Sequence, residues 1–136
     1  MCDLNFNNKE IGKIGESLAC KYLINKGYKI LNRNYQKRCG EIDIIARNDL
    51  YLVFLEVKVR KVNAMVSGIE AVDIKKQKKI INTAIIYLTE FETNLQPRFD
   101  VIEINYYCRN NSRVLKNINH IENAFSWEED FNDEIF

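Results

Sequence analysis

The chain has 136 residues, enough for one domain with one core. With 46% hydrophobic and 29% charged residues it reads as an ordinary soluble globular protein, and no apolar run is long enough to span a membrane. The net charge of +1 conceals a division: residues 1–79 hold 16 basic and 9 acidic side chains, whereas residues 80–136 hold 4 and 10. A locally basic cleft suits a phosphate backbone, and a solvated helix face beside an acidic tail would give the same asymmetry. The polar first nine residues predict no signal peptide and a cytoplasmic location. Cys2, Cys20, Cys39 and Cys108 are scattered, with no C-x-x-C pair, and His120 is the single histidine, so zinc-type spacing is excluded and free thiols are expected.

In chain order, Asn7 or Asn8 caps a first helix running to about Lys26, with Gly27 as its stop. Ile11, Ile14, Leu18, Tyr22 and Leu23 form its apolar stripe. Gly12 and Gly15 weaken a helix, which points to close packing or to the approach of a ligand. Glu16 falls on the border of the stripe, where a solvent-facing partner of Lys13 is its plain reading. Tyr28 to Tyr35 alternates as a strand, and residues 36–40 form a basic connection. Arg33, Lys37 and Arg38 lie there as groups able to meet phosphates.

The next stretch, Gly40 to Arg60, reads as a hairpin turning at Asn48-Asp49. A two-residue turn there sets Arg47 against Leu50, Asp43 against Phe54 and Glu41 against Glu56. Alternation then puts Glu41, Asp43, Ile45, Leu52, Phe54, Glu56 and Lys58 on one face. Ile42, Ile44, Val53, Leu55, Val57 and Val59 fill the other. The first face is apolar near the turn and charged at its far end. Its charges therefore stand where a buried face opens to solvent. Facing carboxylates repel unless something positive lies between them. Lys58 is one candidate and a divalent metal is another. On this register Asp43 and Glu56 are diagonal neighbours, roughly 7–8 Å apart at Cα. Both carboxylates can then reach one hard cation. A three-residue loop would separate them onto opposite faces.

Ser67 followed by Glu70 is a capping-box pattern opening a helix to about Thr89. Ile69, Val72, Ile80, Ala84 and Leu88 form its buried stripe, widened by Ile81 and Ile85. Lys75, Lys76, Lys78 and Lys79 cluster around Gln77, as a solvated face or as phosphate contacts. Phe91 to Pro97 is a loop and Arg98 to Tyr106 a strand, so the passage is a right-handed parallel crossover. Asp100 in this strand is a candidate acid supporting the site, and pairing with Arg98 or capping of the strand is its plainer reading. Val114 to Ile121 is a final, more polar edge strand. Residues 1–125 form a single domain. Residues 126–136 are an acidic tail punctuated by aromatic side chains. The expected class is α/β, a central mixed sheet flanked by helices in the order α-β-β-β-α-β-β.

An acid on one strand, here Asp43, followed by Glu56-Val57-Lys58 on the next, resembles the core of the restriction-endonuclease-like superfold. The spacing from Asp43 to Glu56 resembles that of Holliday-junction resolvases within that group. More of the chain can be matched. The matching blocks include Gly15-Glu16, Gly27-Tyr28, Gly40-Glu41-Ile42-Asp43-Ile44-Ile45-Ala46, Val53 to Arg60, Lys76-Gln77, Arg98 to Ile102 and Ile118-Asn119-His120-Ile121. Together they resemble the bacterial YraN family of small uncharacterised proteins. A Pro before the first strand acid, frequent in the superfold, is replaced here by Ile42.

The resemblance implies a nuclease-like domain acting on DNA, on branched or damaged structures among others. It implies Mg²⁺ or Mn²⁺ held by Asp43 and Glu56, with Lys58 positioning the water. Glu16 completes the acidic cluster, and Glu41 and Gln77 are secondary candidates. Arg38, Arg60, Lys75, Lys76 and Gln77 are the expected nucleic-acid contacts. A symmetric homodimer would suit a resolvase. Two other readings stand beside this one: a non-catalytic nucleic-acid-binding domain, and a protein-interaction domain using the acidic tail.

Overall fold

The computed structural model describes residues 8–62 and 72–127. The elements are α1 (Asn8–Asn25), β1 (Lys29–Lys37), β2 (Gly40–Arg47), β3 (Tyr51–Lys61), α2 (Ile74–Glu90), β4 (Gln96–Arg109) and β5 (Ser112–Phe125). The fold is α/β. The five strands make one mixed sheet in the order β1-β2-β3-β4-β5. Neighbours are antiparallel except β3 and β4, which are parallel. A parallel pair needs a long crossover, and the passage through α2 supplies it.

The helices cover opposite faces of the sheet. Against α1 lie Ile44, Ala46, Val53, Leu55, Ile102 and Ile104, meeting Ala19, Cys20 and Leu23. Against α2 lie Ile45, Leu52, Phe54, Phe99 and Val101, meeting Ile80, Ile81, Ala84 and Tyr87. Both stripes differ from the periodic expectation. On α1 the buried line contains small residues, and Ile14 is left 44% exposed. The cause is close approach: a Cβ added at Gly15 would run into the Val59 side chain. On α2 Thr83 and Tyr87 take the buried positions, while Ile85 is 46% exposed. Tyr87 packs edge-on against Phe54 and Tyr35, which draws that side of the helix inward.

The helix ends follow from local chemistry. Gly27 adopts φ +95°, and the Tyr28 N–H donates to the Leu23 carbonyl at 2.9 Å. This left-handed stop satisfies a carbonyl that the helix would otherwise orphan. Helix α2 begins later than the capping box implies. Its cap is Asp73, whose Oδ1 accepts from the Lys76 N–H at 2.8 Å. Ser67 and Glu70 lie outside the described residues.

The central hairpin turns one residue later than expected. Asn48 N–H donates to the Tyr51 carbonyl at 3.1 Å, so Asp49 and Leu50 are the turn residues. The Asn48 Oδ1 accepts from the N–H groups of Leu50 and Tyr51 at 2.9 and 2.7 Å, which holds the turn there. Arg47 therefore pairs with Leu52 and Ile44 with Leu55. A one-residue shift of the turn moves the register by two. The parity of β3 survives, but each β2 residue gains a new partner.

Two further expectations are corrected. Ile42 packs with Ile45 on the α2 side, not with Ile44 on the α1 side. The alternation breaks at Asp43, directly across from Asn34, which has φ 53°. Cys20 and Cys39 are free, but Cys108 is disulfide-bonded. The tail beyond Trp127 lies outside the described residues. Among the described residues no helix is long and apolar enough to cross a membrane.

Candidate functional site

Carried one step past Ile44–Leu55, the register places Asp43 directly opposite Glu56, not diagonal to it. Backbone pairing between β2 and β3 ends at Ile44–Leu55. Beyond it the Asp43 carboxylate substitutes for a strand carbonyl: its Oδ2 accepts from the Val57 N–H at 2.8 Å. The two strands thus form a fork, with an acid on each prong. Glu56 is buried, 8% exposed, and Asp43 is half-buried.

The electrostatics follow from this arrangement. Burial and the adjacent Glu56 charge push the Asp43 carboxyl up to about 7, with Glu41 adding to the rise and the Val57 N–H opposing it. A positive group reaches this pair from α2. Lys76 Nζ lies 3.2 Å from Glu56 Oε1. Burial would lower the Lys76 pKa, but the charges of Glu56, Asp43 and Glu41 outweigh it and raise it. Glu16 approaches from α1. Its carboxyl is raised by burial and by the Asp43 charge, against hydrogen bonding from Asn34 and the charge of Arg33. Asn34 Nδ2 donates to Glu16 Oε2 at 3.3 Å, so the left-handed residue that interrupts β1 also steadies Glu16.

The other predicted site residues fall around this fork. Lys58 follows Glu56 by two on β3, half-buried, and pairs across the sheet with Glu103. Glu41 is exposed and accepts from Gln36 Nε2 at 3.1 Å. Gln77 donates through Nε2 to the Val72 carbonyl at 2.8 Å, so its amide steadies the entry to α2. Lys75 and Arg38 are exposed and Arg60 is half-buried. Gly40 brings the β1–β2 turn tight against α2: a Cβ there would lie 3.1 Å from Lys79 Cβ and from Thr83 Oγ1. That contact fixes where β2 enters the site.

Some features escaped the sequence reading. Lys76 stood among phosphate contacts, but it reaches Glu56 from the first turn of α2. Helix placement decides that, and strand alternation carries no trace of it. Glu103 is 1% exposed and its Oε2 has no hydrogen-bond partner, while Asn119 Nδ2 approaches Oε1 at 3.4 Å. Asp100 is wholly buried on the α1 side and gathers Arg98, His120 and the Asn123 N–H. The pairing of Asp100 with Arg98 is the one expected from the strand, and only its partners on β5, His120 and the Asn123 N–H, were not foreseen.

The donor set can be tested against a metal ion. Among the described residues no three His, Cys, Asp or Glu side chains converge on one point. Mg²⁺ does not require three: it commonly keeps several waters and binds one or two carboxylates together with substrate phosphates. Two hard carboxylates face to face, one with its pKa pushed up to about 7 by burial and by its neighbour's charge, fit that demand.

Fold and site together define the class: an α/β protein whose mixed sheet splits into a fork carrying opposed carboxylates, with a helix from each face supplying a charged neighbour. The sequence profile described as uncharacterised protein family UPF0102 matches residues 15–104. A UPF0102 protein of Caldanaerobacter subterraneus subsp. tengcongensis is 43% identical over 120 residues, covering 88% of this chain and 97% of its own. One from Clostridioides difficile is 47% identical over 120 residues, covering 88% and 99%. One from Alkaliphilus oremlandii is 48% identical over 123 residues, covering 87% and 99%. The chain belongs to the uncharacterised UPF0102, or YraN, family.

Proposed function

We propose that this protein is a metal-dependent endonuclease acting on DNA, with Asp43 and Glu56 holding Mg²⁺ or Mn²⁺. One observation carries the reading. Two carboxylates from neighbouring strands are set against each other at the end of the β2–β3 ladder, with Asp43 pushed up to about 7. Repulsion between two such acids opposes folding, and the Asp43 carboxyl stays raised even with Lys76 3.2 Å from Glu56. Such a pair makes sense where a cation is its working partner.

The roles follow from placement. Asp43 and Glu56 supply oxygen ligands from rigid strands, and the Val57 N–H fixes the orientation of Asp43. When bound, the ion supplies Lewis acidity towards water and phosphate alike. Lys58, on the same face as Glu56, aligns the attacking water and offsets charge developing on the phosphate. Glu16, held by Asn34, adds negative potential from the α1 side. Arg60 on β3, Lys75 and Lys76 on α2, and Arg38 in the β1–β2 connection border the fork and meet the DNA backbone. Gln77 supports that border through the Val72 carbonyl.

The test is cleavage of supercoiled, linear and branched DNA with Mg²⁺ or Mn²⁺, by wild type and by Asp43→Asn, Glu56→Gln and Lys58→Met. Loss of one ligand or of the lysine is expected to cost about 10²-fold or more in rate, with circular dichroism unchanged. Cutting that survives all three changes refutes the assignment. Salt-sensitive DNA binding without cutting, unaltered in Glu56→Gln, would favour the non-catalytic reading instead. The net positive charge of residues 1–79 is what speaks for that reading.

A further inference from the structure

Lys76 does something more specific than border the site. Its ammonium lies 3.2 Å from Glu56 Oε1, in the place where positive charge is needed beside two acids. The lysine side chain is 44% exposed, whereas that of Glu56 is 9% exposed. The acid is fixed in the sheet and the lysine is tethered by a flexible stem at the start of α2. Asp73 pins the Lys76 backbone, accepting its N–H at 2.8 Å, so only the side chain is left to move.

We propose that Lys76 is the resident counter-ion of the acid pair, and that it and a divalent cation displace one another at Glu56. This rests on the metal-site reading above and deepens it. With the site empty of metal, Lys76 neutralises Glu56 and permits two acids to stand together. When a dication binds, the ammonium is repelled from Glu56 and becomes available to a DNA phosphate beside the scissile one. Cation loading and backbone binding are thereby coupled through one side chain. The exchange needs no backbone motion, because Glu56 stays in β3 and Lys76 stays in α2.

A competitor lowers apparent affinity, so removing it must tighten cation binding. The test is calorimetric titration of Mg²⁺ and Mn²⁺ into wild type, Lys76→Met, Lys76→Arg and Lys79→Met. Lys79 lies one turn further along α2, is exposed, and its loss removes the same charge. A half-exposed ion pair corresponds to about a two- to fivefold change in an equilibrium constant. Lys76→Met should tighten cation binding by that factor, Lys76→Arg should retain the wild-type value, and Lys79→Met should change it little. In a companion DNA-binding titration, the gain in affinity on adding the cation should shrink in Lys76→Met.

Unchanged or weaker cation binding in Lys76→Met overturns the exchange while leaving the metal site standing. An equal gain in Lys79→Met also overturns it, since general charge removal would then explain the effect. If the cation binds neither wild type nor Lys76→Met, the metal site itself fails and the exchange fails with it.

Discussion

Arg98 holds Asp100 two residues away on the same strand, through Nε and Nη2 at 2.9 and 2.8 Å, with both side chains inside the sheet. His120 Nε2 lies 2.7 Å from the same carboxylate, and the Asn123 N–H donates to it at 2.9 Å. Arg98 also donates to the Tyr28 hydroxyl at 2.7 Å and lies over the Tyr51 ring at 4.5 Å. The network ties β4, β5 and the end of α1 together. Removing Asp100 leaves the buried guanidinium with only the Tyr28 hydroxyl and the exposed Glu122 carboxylate at 3.8 Å, so Asp100→Ala should cost about 3 kcal/mol. Burial alone would raise the Asp100 pKa, but hydrogen bonds from His120, Arg98 and Asn123 outweigh it and hold the carboxyl below its ordinary 3.8. A depressed folded pKa stabilises above the unfolded value and loses that stabilisation as pH falls through the folded one. Resistance to urea should therefore fall below about pH 4 in wild type, and this component should be absent in Asp100→Asn. A midpoint indifferent to Asp100→Ala at pH 7 would reduce the network to the worth of a surface ion pair.

Gly15 and Val59 supply a steric prediction. Alanine favours an exposed helix interior over glycine by about 1 kcal/mol. At Gly15 that gain should be reversed, because the added methyl meets the Val59 side chain. Overpacking costs about 1–3 kcal/mol. Gly15→Ala should thus lower the denaturation midpoint, and Val59→Ala should relieve the clash. A double-mutant cycle should show the pair of changes costing less than their sum. Strict additivity would show that α1 simply shifts to accommodate the methyl.

Why some of this was legible in the sequence and some was not comes down to the range of the interaction. Element order, the parallel crossover and the stop at Gly27 are written in local periodicity and local backbone demands. The residues of the fork were legible too, since parity puts Phe54, Glu56 and Lys58 on one side of β3. The register was not. Asn48-Asp49 and Asp49-Leu50 both give two-residue turns, and the choice lay with the Asn48 side chain bonding to Leu50 and Tyr51. That choice turned a diagonal acid pair into a direct one. The break in alternation at Asp43 depends on Asn34 across the sheet, and the Lys76 contact depends on where α2 begins. Neither can be read from a strand's own pattern. Close packing at Gly15 was legible, since a glycine inside a helix points to it, but the larger side chains of α1 hid which residues share that buried face.

Asp43 should set a pH dependence opposite to that of Asp100. Burial and the Glu56 charge raise its carboxyl from 3.8 to about 7. A raised folded pKa gives stability that is complete below the unfolded value and is lost as pH rises through the folded one. Between about pH 4 and pH 7, then, this group makes the metal-free protein less stable as pH rises. Asp43→Asn removes the charge and keeps an oxygen for the Val57 N–H. It should stabilise the metal-free protein by on the order of 2 kcal/mol at pH 8, with the difference fading towards pH 4. Thermal unfolding at three pH values checks this. A variant less stable than wild type at pH 8 would mean that Asp43 is compensated by charges other than those identified.

A cation that binds the fork should turn this cost into a gain. Any ligand that binds the folded state alone stabilises it by mass action, by about 2.7 kcal/mol at a hundredfold excess over Kd. In a chain of this size that corresponds to a rise in Tm on the order of 10 °C. The cation must compete with the proton on Asp43, so the rise should be larger at pH 8 than at pH 6. Asp43→Asn and Glu56→Gln should each reduce it sharply, while Asp100→Asn, on the α1 side of the sheet, should leave the increment unchanged even though its baseline Tm is lower. The opposite pattern, with the increment intact in both fork variants, would move the cation away from the fork and leave its two acids without a purpose.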